Sequence, residues 1–358
     1  WPNQSMTTQK ALENGVFVFN ISRSMGYALQ QWSLPILERV LFSGAKPLPK
    51  RDRKELEILY RELLHLLKRD AYHVSKGDYP MSVLKFEAPW TQWLNFAKVV
   101  MDGRRIQKRR KTKSTKDFHP SLREDLAEYP EYYQRNFHFQ TDGYLSEESA
   151  ALYDAQVDIL FAGAADAMRR LIIPLMKKRA ELKAGPGQRL KFLEVGAGSG
   201  NLTRSVRKAY PRASIVAMDL SASYLERAKV QVPRLETVVG AGEDLPFRDE
   251  TFDAVYSCFV FHEIPLAIRR AQLKEAFRVL KPDGYIGIVD SLQKDDQPRL
   301  NWALENFPKD FHEPFYKDYT LHPVRELMEE AGFQVVEETQ GFLAKALLAK
   351  KGKKILSD

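Results

Sequence analysis

The segment Leu193-Glu-Val-Gly-Ala-Gly-Ser-Gly-Asn201, entered from Arg189-Leu-Lys-Phe192, constrains this chain most: an apolar strand runs straight into a loop with glycine at every second position. Twenty-five residues after Glu194 a second acid, Asp219, closes another short apolar run. Strand, glycine turn, helix and a strand ending in a carboxylate are the parts of a nucleotide-type cofactor site in an α/β fold. Gly196, Gly198 and Gly200 can take positive φ and present no Cβ, so a ligand can lie against the backbone where the next helix begins. Asp219, at the tip of the second strand, can accept both hydroxyls of a ribose. Dinucleotide sites space their glycines GxGxxG, whereas here an acid stands two residues before the first glycine. Glu194 would repel a pyrophosphate but can help hold a cationic ligand, directly or through water.

With that upstream acid the loop resembles the first motif, hh(D/E)hGxGxG, of the class I S-adenosylmethionine-dependent methyltransferases; on the loop alone a nicotinamide or flavin site stays open. The segments behind it narrow the choice. Val238-Val-Gly-Ala-Gly-Glu-Asp-Leu-Pro-Phe247 follows a third short strand, and Thr251 to Val260 reads as a fourth. Pro265 to Leu280 reads as a helix stopped by Lys281-Pro-Asp-Gly284, and Tyr285 to Asp290 as a fifth strand ending in an acid. In this order they resemble GDAEDLPF, FDhhhs and LKPGG of the quinone and small-molecule branch of that family, from Arg189 to about Lys350. The resemblance implies a Rossmann-like, seven-stranded α/β methyltransferase domain behind a mainly helical N-terminal region, with S-adenosyl-L-methionine as cofactor. It implies cofactor contacts from Glu194, Gly196, Gly198, Gly200, Asp219, Leu220, Gly242, Glu243, Ser257 and Phe259. One departure stands out. Ala241 occupies the position where the family commonly has an aspartate for the adenine amino group, which leaves Glu243, Asp244 or the backbone around Gly242 for that contact; Glu243 is our choice.

Methyl transfer needs an O, N or C nucleophile held in line with the S–CH₃ bond and shielded from water. A phenol or activated carbon also needs a proton acceptor. Open α/β sheets bind ligands at the C-terminal ends of their strands, which singles out His262 and Glu263 after the fourth strand and Asp290 at the end of the fifth. Ser291 to His322 is expected to be a loop-rich insertion that shapes an aromatic acceptor pocket, and it supplies His312 and Tyr316. Either His262 or His312 is expected to act as the base. Several chemistries are set aside: the Pro-Cys pair of cytosine C5 enzymes is missing, Ser257-Cys-Phe-Val260 replaces the Asn-Pro-Pro-Tyr of base-amino enzymes, and one cysteine cannot serve arsenite methylation. The scattered histidines offer no metal-ligand spacing.

At 358 residues the chain exceeds one such domain, and three regions are expected: helical 6–125 as a substrate cap, 126–185 as an aromatic lid and connecting helix, and 186–358 as the catalytic domain. Apolar residues at helical spacing mark Leu34 to Phe42, Arg53 to Lys68 and Trp90 to Val100, with Pro47 and Pro49 separating the first two. Trp90, Trp93, Phe96 and Val99 are expected to form one core-facing stripe. In the aromatic stretch from Tyr129 onward, Tyr144 or Tyr153 is the candidate to close over the sulfonium, with ordinary packing as the other reading.

Charge is unevenly placed. Residues 1–190 hold 31 Lys and Arg against 22 Asp and Glu, and residues 191–358 hold 24 against 25, so the whole net charge of +8 belongs to the N-terminal half. Its densest run, Arg104 to Lys116, suits an anionic surface, a lipid or a nucleic acid, or a solvated helix end. No integral membrane segment is expected, since the longest early uncharged run, Ser24 to Leu37, is too short to span a bilayer. The single cysteine, Cys258, fits a reducing compartment, hence a cytoplasmic location. The expected activity is methyl transfer to a small or lipid-like, aromatic acceptor. The alternatives are an RNA or protein methyltransferase recruiting through the basic arm, and a non-catalytic cofactor-binding scaffold.

Overall fold

The computed structural model describes residues 2–41, 52–86, 89–122, 125–179, 182 and 189–352, and it divides into two compact units, 1–167 and 168–358. Pro47, Pro49 and the end of the first expected helix at Phe42 lie outside the described residues.

Among the described residues the first unit is built on four helices, α1 (Pro2–Leu41), α2 (Arg53–Lys76), α3 (Pro89–Thr112) and α4 (Glu147–Leu160). Asp52 caps α2 by accepting from the Lys54 N–H at 3.0 Å, and the helix runs past the expected Lys68 until Gly77, at φ +83°, stops it. Its buried face, Leu63, Leu66, Leu67, Ala71 and Val74, includes Asp70, whose carboxylate accepts from Asn20 of α1 at 3.2 Å and from the Tyr79 hydroxyl at 2.8 Å. Ser146 caps α4 by accepting from the Ser149 N–H at 3.1 Å. Phe96, Val99 and Val100 of α3 meet Tyr27 and Ile159 in a small core.

The expected four-residue stripe on α3 is divided: Phe96 and Val99 are buried, but Trp90 and Trp93 are exposed. The cause is geometric. Steps of three residues fall about 60° short of a full turn, so a run at i, i+3, i+6 and i+9 winds to the opposite side of the helix. The basic run divides too. Arg109 turns inward, donating to Asp117, the Phe139 carbonyl and Thr141, while Arg104, Arg105 and Lys108 face out.

The second unit, reached through the short helices α5 (Ala165–Arg169) and α6 (Ile172–Lys177), adopts the expected seven-stranded Rossmann-like fold. Its strands are β1 (Lys191–Val195), β2 (Ser214–Asp219), β3 (Glu236–Val239), β4 (Phe252–Cys258), β5 (Leu280–Ser291), β6 (Phe333–Gly341) and β7 (Ala344–Lys351), in the order β3-β2-β1-β4-β5-β7-β6. The first five are parallel; β7 runs antiparallel between β5 and β6. Helices α7 (Asn201–Ala209), α8 (Ala222–Gln231) and α9 (Leu266–Val279) connect them. Strand order reverses between β1 and β4, and the crevice at the C-terminal ends of those strands is where such sheets bind ligands.

Leu193, Val195, Val255, Leu273, Ile286, Ile288 and Leu347 form the core on one face of the sheet. Ser291 to His322 departs from expectation. It is largely helical, with a 3₁₀ turn at Pro298–Leu300 followed by α10 (Asn301–Asp310) and α11 (Tyr316–Leu321), because Leu300, Tyr316 and Tyr319 are buried at intervals that anchor each turn. The last helix, α12, covers Val324–Glu330. No helix among the described residues is long and apolar enough to cross a membrane.

Candidate functional site

The glycine loop after β1 is held from below and open above. The Gly196 and Ala197 N–H groups donate to the Met218 carbonyl at 2.8 and 3.0 Å, tying the loop to β2. Gly196 sits at φ +72°, and a Cβ there would stand 2.3 Å from Val260 Cγ2, so packing alone demands glycine. At Gly198, φ +53°, a Cβ would meet nothing closer than Tyr224 at 3.9 Å. Here the bare backbone faces open space, which is what a ligand laid on the loop requires. Gly200 ends the loop as the cap of α7.

Asp219 joins this loop to the end of β2. One oxygen accepts from the Gly198 N–H and the other from the Ser221 N–H, both at 2.8 Å, while Leu220 beside it is half-buried. Burial pushes the Asp219 carboxyl up to about 6 despite those bonds, with the Glu263 charge adding to the rise. Glu194, fully buried on β1, accepts from the Thr203 hydroxyl and is pushed up to about 8 by burial, with Asp219 raising it further. Asp219 thus raises the proton affinity of Glu194, and the Glu263 charge raises that of Asp219. A bound cation would relieve both raised carboxyls, so the donor set fits a sulfonium and an ammonium better than a pyrophosphate.

The next loop is fixed from α9. At Gly242 a Cβ would stand 2.7 Å from Gln272 Oε1, and the Gln272 amide approaches Ser257 Oγ at 3.5 Å. Ser257 in turn donates to the Val195 carbonyl at 2.8 Å. The Leu245 N–H donates to Glu275, and Arg278 binds Glu275, Asp249 and the carbonyls of Leu245 and Phe247. Glu243 is half-buried between these anchors. Gln272, Glu275 and Arg278 escape a sequence reading that follows only the apolar face of α9 through Leu273 and Phe277. Their signal is the complementary polar stripe at three-residue spacing.

Residues 193–288, which carry these loops, match a methyltransferase domain family. Over 158 residues the chain is 38% identical to the uncharacterized methyltransferase sll0829 of Synechocystis sp., a match that covers 44% of this chain and 72% of that protein. The chain belongs to the class I S-adenosylmethionine-dependent methyltransferases. It is also 28% identical over 210 residues to the demethylmenaquinone methyltransferase of Thermotoga maritima, covering 53% of this chain and 87% of that one. With the fatty-acid O-methyltransferase of Mycolicibacterium smegmatis it shares 32% identity over 145 residues, 40% of this chain and 52% of that protein.

In this methyltransferase the ends of β4 and β5 bring a second group of residues together. Phe259, directly after β4, holds φ +57°, a strained conformation for a bulky residue that turns the chain sharply into the 3₁₀ turn Phe261–Glu263. His262, buried in that turn, has Nδ1 2.6 Å from Asp290 Oδ1. Asp290 also accepts from the Phe261 N–H at 2.8 Å and the Ser291 N–H at 2.7 Å, so one carboxylate sets both the imidazole and the turn that carries it. Burial by itself lowers the imidazole pKa. The charge and hydrogen bond of Asp290 outweigh it, Glu263 and Glu313 add to them, and His262 is pushed up to about 9.

Aromatic side chains of α11 wall this pair. Tyr316 and Tyr319 lie edge-on to the imidazole at 5.8 and 6.1 Å between centroids, and the Tyr316 hydroxyl meets Ser291 Oγ at 2.7 Å. Burial raises the Tyr316 phenol above its ordinary range. Arg269 of α9, completely buried, donates to the Phe261 carbonyl at 2.7 Å, to Asp318 at 2.8 Å and to the Phe315 carbonyl at 3.1 Å. It ties the histidine turn to α11, and nothing in its sequence neighbourhood marks it. His312 lies half-buried in the connection between α10 and α11. In the other unit Tyr144 packs against Phe137 and Tyr153, with its hydroxyl 3.0 Å from His138 Nε2.

Proposed function

We propose that this methyltransferase transfers a methyl group to an ionisable oxygen or acidic carbon of a small, apolar, aromatic acceptor, with His262 as the proton acceptor and Asp290 as its partner. The contact that carries this reading is the 2.6 Å approach of His262 Nδ1 to Asp290 at the C-terminal ends of adjacent strands. Of the two candidate histidines, His262 has its Nδ1 held by a carboxylate, and its Nε2, 3.8 Å from Glu263 Oε1, is the nitrogen that would take the acceptor's proton. An imidazole raised to about 9 is nearly matched to a phenol of pKa about 10, so proton transfer between them is close to balanced.

S-adenosylmethionine, when bound, supplies the activated methyl group. Gly196, Gly198 and Gly200 would bed it, Asp219 would accept from its ribose hydroxyls, and Glu194 would balance its positive charge. Gly242 and Glu243 would take the adenine edge, with Leu220, Ser257 and Phe259 completing the walls. Tyr316 and Tyr319 would exclude water and hold a flat acceptor against His262. Demethylmenaquinone and a fatty acid appear in the names of two relatives, in keeping with an apolar acceptor. Residues 6–125 would serve as the substrate cap and 126–185, with Tyr144, as the lid over the catalytic region 186–358.

The test is a panel of phenols, quinols, fatty acids and RNA incubated with methyl-labelled cofactor. Transfer to apolar phenols or quinols that is lost in His262→Gln supports the reading; labelling confined to fatty acids or RNA overturns it.

A further inference from the structure

The first unit carries a surface that its own core leaves uncovered. On α3, Trp90, Trp93, Leu94 and Met101 are 69%, 48%, 62% and 75% exposed. At about 100° per residue, Trp90, Leu94, Ala97, Met101, Arg104 and Lys108 all fall within roughly 40° of one line along the helix, with Trp93, Arg105 and Lys111 at its edges. This face is aromatic and aliphatic for its first three turns, ~17 Å, and cationic beyond them. The one acid of α3, Asp102, points inward and accepts from Thr141 at 2.8 Å and Gln156 at 3.4 Å, so the outer face carries no negative charge. Arg105 shares its charge with Glu148 at 3.3 Å.

α1 repeats the pattern. Val18, Met25, Leu29 and Trp32 are exposed at heptad spacing, and Arg23, the only charge between Gly15 and Leu37, is turned to Asp158 at 3.0 Å. Exposed tryptophans in contiguous apolar patches are not a surface that water favours. A second copy of the chain would cover the apolar half but would bring like charges together along the basic half. RNA would suit the cations and leave the tryptophan, leucine and methionine cluster in water, with none of the aromatic interleaving among the cations that stacks bases. An interface that is apolar on one side and anionic on the other satisfies both halves at once.

We infer that the outer face of α3 docks the first unit on the surface of an anionic phospholipid bilayer, with Trp90, Trp93 and Leu94 entering the headgroup boundary and Arg104, Lys108 and Lys111 lying on the headgroups. Tryptophan prefers that depth because its ring is apolar and its N–H reaches water. The docking is independent of the identity of the methyl acceptor and is read without any assay of methyl transfer.

The experiment is co-sedimentation of the full chain with phosphatidylcholine vesicles and with vesicles also containing phosphatidylglycerol, at low and high salt. Binding to the anionic vesicles is expected, reduced by salt and weakened at least ~tenfold in R104E/K108E, since each cation near such a surface contributes about fivefold. W90A/L94A should also weaken it. A blue shift of tryptophan emission on anionic vesicles should shrink in W90F/W93F. All of these side chains are exposed, and unchanged far-UV circular dichroism and thermal melts in each variant show that the helices of the first unit persist. Failure to bind anionic vesicles overturns the inference, as does equal binding of R104E/K108E. Self-association without vesicles that W90A/L94A abolishes would assign the face to a second copy, and RNA binding that R104E/K108E alone removes would assign it to nucleic acid; either result, without vesicle binding, overturns it as well.

Discussion

His262 and Asp290 meet at 2.6 Å across the ends of two neighbouring strands, and the same carboxylate accepts from the backbone N–H that precedes the histidine. The imidazole can therefore neither rotate nor lose its proton cheaply. Its raised pKa, about 9 in the folded protein against an ordinary 6.5, gives the pair a defined pH signature. Because the folded value lies above the unfolded one, the pair's stabilisation is complete below about pH 6.5 and is lost as pH rises through about 9.

Catalysis has the opposite slope. With the neutral imidazole as the proposed base, kcat/KM should climb with pH between 7 and about 9 and then level off. Asp290→Asn removes the charge while burial remains, so the rising limb should move down to about 6.5 or lower. His262→Gln should lower kcat by about 10²-fold or more and flatten the limb. A profile of kcat/KM against pH for the three proteins checks this, and an unmoved limb in Asp290→Asn would remove the pair from the proton transfer.

In its proposed role Glu194 would link cofactor binding to protons. Its folded pKa of about 8 lies above its ordinary 4.5, so its contribution to stability is complete below pH 4.5 and lost as pH rises through about 8. Glu194→Gln should make the melting temperature less sensitive to pH between 5 and 8. A cation drawn to the ionised carboxylate should release a proton on binding near neutral pH. Titration calorimetry in two buffers of different ionisation enthalpy measures that release, which Glu194→Gln should abolish.

Two glycines of the same loop should fail differently. Gly196→Ala places a methyl group 2.3 Å from Val260, at positive φ, and should lower stability by about 2 kcal/mol or more. Gly198→Ala meets only Tyr224 at 3.9 Å, so its cost to stability should be confined to the left-handed backbone, about 1 kcal/mol. Its methyl group instead projects into the space proposed for the cofactor, and affinity should fall at least ~tenfold. Thermal melts beside cofactor titrations separate the two, and equal affinity in wild type and Gly198→Ala would place the ligand elsewhere.

Arg269 should act through position. Arg269→Lys keeps a charge but cannot donate to Phe261, Asp318 and Phe315 together, so the turn bearing His262 should loosen. The cost to stability should be about 2–3 kcal/mol, held down because Asp318 is partly in solvent. Stopped kinetics should show a fall in kcat with cofactor affinity unchanged. An equal loss of both would mean that the whole crevice had shifted.

Much of the catalytic unit is legible in the sequence because its signals are local. Strand β1 reads as an apolar run, the loop as glycines at every second position, and Asp219 as the acid that ends β2. The motifs through Gly284 stand in chain order at the spacing of the strands they close. What a local reading loses is orientation. The α3 stripe is placed in a core by spacing alone, although successive three-residue steps carry Trp90 and Trp93 to the outside. The segment after Asp290 shows its aromatics but not the helices they make, because Tyr316 and Tyr319 become helical through burial against β5 and His262.

The chain's sequence by itself determined the order of strands and motifs from Arg189 to Gly284, the glycine loop and the methyltransferase family, since each rests on residues that are neighbours along the backbone. Only the tertiary structure decided that Asp290 belongs to His262, that Arg269 locks their turn, and that Gln272, Glu275 and Arg278 fix the Gly242 loop. Those partners are separated by many residues, and their chemistry depends on burial and charge that exist only once the sheet has brought the strand ends together.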